Sequence, residues 1–207
     1  MTDASPAPAD APDRAALAEP ATTRRDLLWL GALTLALRLP TFFATKHLTF
    51  DDGVFGASAV AMRNGGVPFR DVFSSQGPLF LPLVWIADTL GLHTLDGPRL
   101  LGLASGLALV IVIYLAGREL GGTTGARIAG GLAAVTGSSI AVTGSIAADG
   151  PAMALASTAV LIALRYRRDP STGRAVAMGV ALGAAIMVKA LVLPAAVPVG
   201  LILLWGR

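Results

Sequence analysis

A succession of apolar runs restricts this chain more than any other feature. They cover residues 27–44, 98–117, 128–147, 150–164, 175–188 and 190–205. The first holds about 18 residues, close to the least that spans a hydrocarbon core at a rise of 1.5 Å per residue. In lipid no water satisfies peptide N–H and C=O groups, so apolar runs of this kind fold as helices. Composition agrees: 54% of the residues are hydrophobic and 14% are charged, against about 25% charged in soluble domains. The expected fold is all-α, a polytopic transmembrane helix bundle of about six spanning helices.

A seventh run, 77–92, contains Pro82 and Asp88 and is ambiguous by hydropathy alone. The basic residues resolve it, because Lys and Arg in short loops mark the cytoplasmic side. If 77–92 does not cross, Arg24, Arg25, Arg118, Arg127, Arg165, Arg167, Arg168, Arg174 and Arg207 fall on one side. If it crosses, the 165–174 cluster inverts. The run therefore reads as an interfacial or re-entrant helix within a first outer loop, 45–97. Residues 1–26 are rich in Ala, Pro, Asp and Thr without apolar periodicity, and read as a disordered cytoplasmic tail. Residues 27–207 form the membrane module. Arg24-Arg25 resembles the start of a twin-arginine export signal, but Arg38 interrupts the apolar run that follows and no small-x-small cleavage site comes after it. An uncleaved first helix is the reading adopted, and either reading leaves Asp51 outside. The expected location is integral to a bacterial plasma membrane, with the N-terminus cytoplasmic and the polar face extracytoplasmic.

The chain has no cysteine and two histidines, which offers no disulfide framework and no Cys or His metal cluster. No metal and no other cofactor is expected. The stretch GGTTGAR at 121–127 lacks the GK[ST] ending of a phosphate loop and follows no strand, and no feature points to nucleic acid. Glycine- and alanine-rich stretches such as GARIAGGLAAVTG let helices approach closely. The topology collects Lys46, Asp51, Asp52, Arg63, Arg70, Asp71, Gln76, His93, Asp96, Arg99, Asp149 and Lys189 on the outer face. Asp149 and Lys189 interrupt otherwise apolar surroundings, where a charge is costly and points to function. Carboxylates facing a cation suit a general base working beside an anionic leaving group. Structural alternatives stand beside each. Asp51 or Asp52 would cap a short helix over 53–64. Asp149, before Gly-Pro, would serve as a turn residue and helix N-cap. Lys189 and Arg99 would snorkel to head groups, and Arg38 would snorkel or pair with an acid. His93 reads as a loop residue.

FDDGVFGASAVAMRNGGVPFRDVFSSQGPLF, residues 50–80, resembles the first outer loop of GT-C glycosyltransferases. The likeness is to the bacterial family 39-like branch related to protein O-mannosyltransferases and aminoarabinose transferases. PRLLGLASGLALVIVIYLAGREL is similar to the next helix of that family, SIAADGPAMALA to its second-loop acidic motif, and ALGAAIMVKALVLPAAVPV to its lysine-bearing helix break. The resemblance runs over roughly residues 27–205 and implies an N-terminal portion of such an enzyme, whose members usually run several hundred residues. It implies transfer of a sugar from a polyprenyl-phosphate donor to an acceptor hydroxyl of a protein, lipid or glycan on the extracytoplasmic side. Asp51 matches the catalytic base, Asp52 stands where a Glu is usual, and Asp149 matches the second acidic position. Lys189 matches the lysine near the lipid phosphate, and Gln76 takes the place of a phosphate-facing lysine. Arg99 is a further candidate for the donor phosphate. The alternative function is a non-catalytic lipid-binding or assembly subunit on the same scaffold.

Overall fold

The computed structural model describes residues 12–43 and 48–204. The described chain forms helices α1 (Pro12–Phe42), α2 (Phe50–Arg63), α3 (Phe80–Leu90), α4 (Leu100–Val135), α5 (Gly137–Thr143), α6 (Asp149–Arg168), α7 (Thr172–Val188) and α8 (Ala196–Leu204). Short 3-10 turns at Gly97–Arg99 and Ala190–Ala195 lead into α4 and α8. Among the described residues there is no named strand, so the all-α expectation stands. Helix α1 begins at Pro12, within the segment read as a tail, whose residues 1–11 lie outside the described residues, as do Lys46 and Arg207.

Among the described residues, the helical stretch Gly97–Val135 is the one long and apolar enough to cross a bilayer, with a mean hydropathy of 2.3 over its most apolar window. Its backbone leaves helical geometry at Gly121 (φ −138°, ψ 23°) and Gly122 (φ 60°, ψ −153°). The left-handed φ of Gly122 is one that a side chain would strain. A Cβ on Gly117 would lie 2.7 Å from the carbonyl oxygen of Gly125, and one on Gly130 would lie 3.1 Å from the Cβ of Tyr114. Residues so far apart in sequence touch in this way only if the chain reverses. α4 is thus a tight hairpin of two antiparallel limbs, 100–120 and 123–135, matching the separate runs 98–117 and 128–147. The small residues at its seam let the two backbones meet.

The hairpin packs against α1 and α6, and α6 packs against α7. The two ends of this bundle differ in chemistry. At one end Arg127 pairs with Asp26 at 2.8 Å, and Arg165 and Arg168 pair with Glu119 at 3.0 and 2.5 Å. The side-chain hydrogen bond from Arg127 and, less strongly, those of its neighbours outweigh desolvation and hold the Asp26 carboxyl below its usual range. At the other end lie Asp52, Arg99, Asp149 and Lys189. Helix α6, 20 residues long, carries Asp149 at its start and Arg168 at its finish, so the two ends stand about 30 Å apart. That separation is close to the thickness of a bilayer's hydrocarbon core, roughly 30 Å.

Arg38 of α1 corrects the expectation that it snorkels or pairs with an acid. It is fully buried. Its Nε donates to Thr143 Oγ1 at 2.8 Å, Nη1 to the Ala134 carbonyl at 3.2 Å and Nη2 to Ser139 Oγ at 2.9 Å. Ala134 lies in the last turn of α4, where the helix dipole favours a cation. Arg38 therefore ties α1 to the break between α4 and α5, and its charge faces the interior of the bundle.

The loop helices form a small core of their own. Phe55, Ala59 and Met62 of α2 lie on one face at helical spacing, and meet Phe80, Leu81 and Val84 of α3. Phe55 and Phe80 stack edge to face, with ring centroids 4.7 Å apart. Burying each ring contributes about 1.5–3 kcal/mol. Ile146, Ala148, Ala152 and Val188 join the same cluster, which fastens the loop helices to the starts of α6 and of the 189–195 turn. Run 77–92 thus yields the 11-residue helix α3, whose outer side exposes Trp85, Ile86 and Leu90.

Candidate active site at the acidic end of the bundle

Helix α2 places the adjacent carboxylates. Thr49 is its N-cap: the Thr49 hydroxyl accepts from the Asp52 N–H, and the Asp52 side chain accepts from the Thr49 N–H, a reciprocal capping box. Asp52 is therefore the third helical residue of the box, and the capping role falls to it and Thr49 rather than to Asp51. Asp52 is buried, and both of its oxygens are engaged. Oδ2 accepts from Thr49 N at 3.0 Å, Thr49 Oγ1 at 2.9 Å and Arg99 Nη2 at 2.9 Å, while Oδ1 accepts from Ile146 N at 2.9 Å. Burial alone would raise the Asp52 carboxyl. The bonds from Thr49 and Ile146, with the Arg99 charge, outweigh it and hold the group below the usual carboxylate range.

Arg99 is equally enclosed, at 3% side-chain exposure. Its Nη1 donates to the carbonyls of Thr41 and Phe42 at 3.0 and 3.1 Å, the last turn of α1. One guanidinium thus joins the end of α1, the start of α4 and the start of α2. Its hydrogen bonds run to the protein, and it is not a snorkelling side chain.

Asp51 differs from its neighbour. It lies in the first turn of α2, half-buried, and among the described residues its carboxylate has no hydrogen-bond or ion-pair partner. Two adjacent helical residues point about 100° apart, so fixing Asp52 inward turns Asp51 away from the core.

The second pair stands nearby. Asp149 is the first residue of α6, whose N-cap is Ala148 with no side-chain capping bond, so Asp149 is not the cap. Lys189 ends α7 in extended conformation, φ −151° and ψ 114°. Lys189 Nζ donates to both oxygens of Asp149, at 2.8 and 2.7 Å. The lysine therefore pairs with an acid rather than snorkelling. Gln76 approaches the same place along the backbone. Gly77 N donates to the Val188 carbonyl and Leu79 N to the Met187 carbonyl, both at 3.0 Å. A Cβ on Gly77 would fall 2.1 Å from the Met187 oxygen, so the loop meets the end of α7 only through glycine. Among the described residues the Gln76 side chain reaches only Ser75 Oγ, at 3.5 Å.

The structure thus groups the candidates into two pairs, Asp52 with Arg99 and Asp149 with Lys189. They are linked by the turn from Ile146, which Asp52 holds, to Asp149 three residues later. Sequence reasoning missed a third group on the same loop, Asp88 with Arg63 and His93. Asp88 is fully buried and accepts from Arg63 Nε at 3.2 Å and Nη2 at 2.8 Å, with His93 Nδ1 at 2.7 Å. A charged residue inside an apolar helical run was the available signal. Among the described residues no three His, Cys, Asp or Glu side chains gather closely enough to hold a metal ion.

The family model described as dolichyl-phosphate-mannose-protein mannosyltransferase matches residues 75–207. The match includes Gln76, Arg99, Asp149 and Lys189 and stops short of Asp51 and Asp52. No curated protein and no solved structure matches the chain. With well over half its length matched, an all-helical fold, and charged pairs gathered at one end of the bundle, the chain belongs to the dolichyl-phosphate-mannose-protein mannosyltransferase family of membrane glycosyltransferases, which take their sugar from a polyprenyl-phosphate donor.

Proposed function

We propose that this protein transfers a sugar from a polyprenyl-phosphate donor to an acceptor hydroxyl, with Asp51 as the general base. The observation that carries this is the contrast within the acidic pair. Asp52 is saturated with hydrogen bonds and held in its charged form, so it is a poor proton acceptor. Asp51 is partnerless among the described residues and fixed in direction by its neighbour. A base must reach the proton it takes, and of the two Asp51 alone is free to do so.

In this reaction the acceptor oxygen attacks the anomeric carbon as Asp51 removes its proton. The bond from that carbon to the phosphate oxygen breaks, and polyprenyl phosphate leaves with the electron pair. Attack from the side opposite the phosphate inverts the anomeric centre. Lys189 receives the leaving phosphate. Its ammonium has three N–H donors, and Asp149 takes two at most, which leaves one for a phosphate oxygen. Asp149 is then a positioning residue that holds the lysine at the bundle's end, and Gln76 offers amide donors beside it. Asp52 and Arg99 are the frame that sets Asp51.

In this reading α1, the two limbs of α4, α6, α7 and the 190–204 segment cross the membrane. The arginine-rich end is cytoplasmic, and α2 and α3 lie at the outer interface. A donor of this kind keeps its polyprenyl chain in lipid while its head group meets the charged end of the bundle. Proteoliposomes holding the protein and polyprenyl-phosphate mannose, supplied with a hydroxyl acceptor on one side at a time, test the function. Sugar transfer to an acceptor facing the acidic end supports it. Transfer only to an acceptor at the arginine-rich end, or none with any hydroxyl acceptor, overturns it.

A further inference from the structure

We propose that the cavity between α2 and the 91–98 loop binds a hydroxylated sugar ring, with His93 accepting from its hydroxyls and Arg63 donating to them. The inference rests on the glycosyltransferase reading above and adds a subsite to it. The cavity has a volume of about 330 Å³ and is lined by Asp52, Val60, Arg63, His93, Leu95 and Asp96 among others. Asp52 forms part of its wall, so it adjoins the acidic pair.

The side chains facing this space are held in place from behind. Asp88 is completely buried, and the loop closes over it because Gly91 and Gly97 touch backbone to backbone: a Cβ on Gly91 would lie 2.2 Å from the Cα of Gly97. Asp88 binds Nε and Nη2 of Arg63, and among the described residues Nη1 is left without a partner. Asp88 also holds His93 Nδ1 at 2.7 Å. A carboxylate that already faces a guanidinium only accepts, so in its neutral form the imidazole carries its proton on Nδ1 and presents Nε2 as an acceptor. The backbone is bent to achieve this. Leu92 (φ 54°) and His93 (φ 59°) both lie in the left-handed region, which is uncommon for non-glycine residues and unfavourable for one as bulky as leucine. His93 N also donates to the Asp88 carbonyl at 2.9 Å. Such strain gathers where the surroundings over-determine a functional conformation. Here it aims a ring that is 44% exposed.

Charge decides which ligand suits the cavity. Arg63 is cancelled by Asp88 and Arg99 by Asp52, and Asp96 adds a negative group to the lining. An anionic ligand such as phosphate finds no net positive charge there. A neutral ring with many hydroxyls finds a donor in Arg63, acceptors in His93 and Asp96, and an apolar wall in Val60, Leu95 and Pro98 for its C–H face. Few polar groups set against an apolar wall are what small-ligand sites use for orientation.

The sugar could come from the donor or from a glycan acceptor, and one experiment separates the two. The full chain is placed in lipid nanodiscs with 15N-labelled histidine and titrated with methyl α-D-mannopyranoside. The two histidines of the chain are told apart with His47→Gln. The expected result is a saturable shift of the His93 Nε2 resonance. Val60→Trp and, separately, the exposed Leu95→Trp fill the cavity without touching its polar groups and should abolish the shift. Because His93→Phe removes the reporter, its binding is read by isothermal titration calorimetry, and it should weaken roughly tenfold, the equivalent of one lost hydrogen bond. Competition by polyprenyl-phosphate mannose assigns the subsite to the donor sugar, and simultaneous binding assigns it to the acceptor. An Nε2 resonance that does not move at saturating sugar, or a shift that survives both tryptophan variants, overturns the proposal. Binding is read here without transfer, so this result is independent of the loss of transfer expected for Asp51 variants.

Discussion

Lys189, at the end of α7, holds both carboxylate oxygens of Asp149, at the first turn of α6, at 2.8 and 2.7 Å. The pair closes the α6–α7 contact at the end where the loop segment 77–79 is hydrogen-bonded to Met187 and Val188. Both side chains keep some access to solvent, 17% for the lysine and 36% for the aspartate. An ion pair of that exposure adds little to stability, about 0–1 kcal/mol. In the proposed reaction the pair holds an ammonium ready for the leaving phosphate.

Lys189→Met is accordingly expected to leave the melting temperature nearly unchanged and to weaken polyprenyl-phosphate mannose binding about tenfold or more, as for the loss of a charge-assisted hydrogen bond. Asp149→Asn should have a smaller effect on donor binding, because the lysine remains and only its position loosens. Donor titration against both variants checks this. Unchanged donor affinity in Lys189→Met would assign the pair a purely structural role.

The Asp52–Arg99 pair behaves differently because it is almost completely enclosed. Asp52→Ala leaves a buried guanidinium without its carboxylate, and should cost about 3–5 kcal/mol. Stability should also depend on pH in a defined sense. The unfolded carboxyl titrates near 3.9, and the folded one lies below that. The unfolded state therefore binds the proton first, so the contribution of Asp52 is complete above about pH 4 and is lost as pH falls through the folded value. Asp26 and Asp71 are shifted the same way, so the informative quantity is the difference from Asp52→Asn. Thermal melts of the two proteins should stand well apart at neutral pH and draw together below about pH 4. A constant gap would contradict the assignment.

Much of this was legible in the sequence where the physics is local. Hydropathy located the helical runs, and the Gly- and Ala-rich stretches signalled close helix packing. T-x-x-D at 49–52 is a capping signature that separates Asp52 from Asp51. Long-range partners were not legible. The guanidinium of Arg38 is satisfied by two hydroxyls and a carbonyl about a hundred residues away, and no charge pattern announces such partners. Asp52 meets Arg99 and Ile146 only because α2 folds back on the bundle. Asp88 and His93 meet because two residues take left-handed φ and two glycines cross, a backbone event that residue type alone does not specify.

The orientation of the bundle can be tested directly because the chain has no cysteine. Ser75 lies next to Gln76, and Ser171 lies between α6 and α7 at the arginine-rich end; both are exposed. Ser75→Cys should react with a membrane-impermeant maleimide added to intact cells, and Ser171→Cys should react only after the membrane is opened. Labelling of Ser171→Cys from outside would invert the topology and remove the acidic end from the extracytoplasmic side.

The role of Asp51 is tested most directly by the rate of sugar transfer from polyprenyl-phosphate mannose in reconstituted Asp51→Asn protein. The amide keeps the size of the side chain and removes the base. A base acts in the transition state, so turnover should fall about a hundredfold or more while donor affinity stays as it was. Because Asp51 makes no bond to the described residues, the variant should melt where the unaltered protein does. If Asp51→Asn transfers sugar as fast as the unaltered protein in the same reconstituted system, Asp51 is not the base.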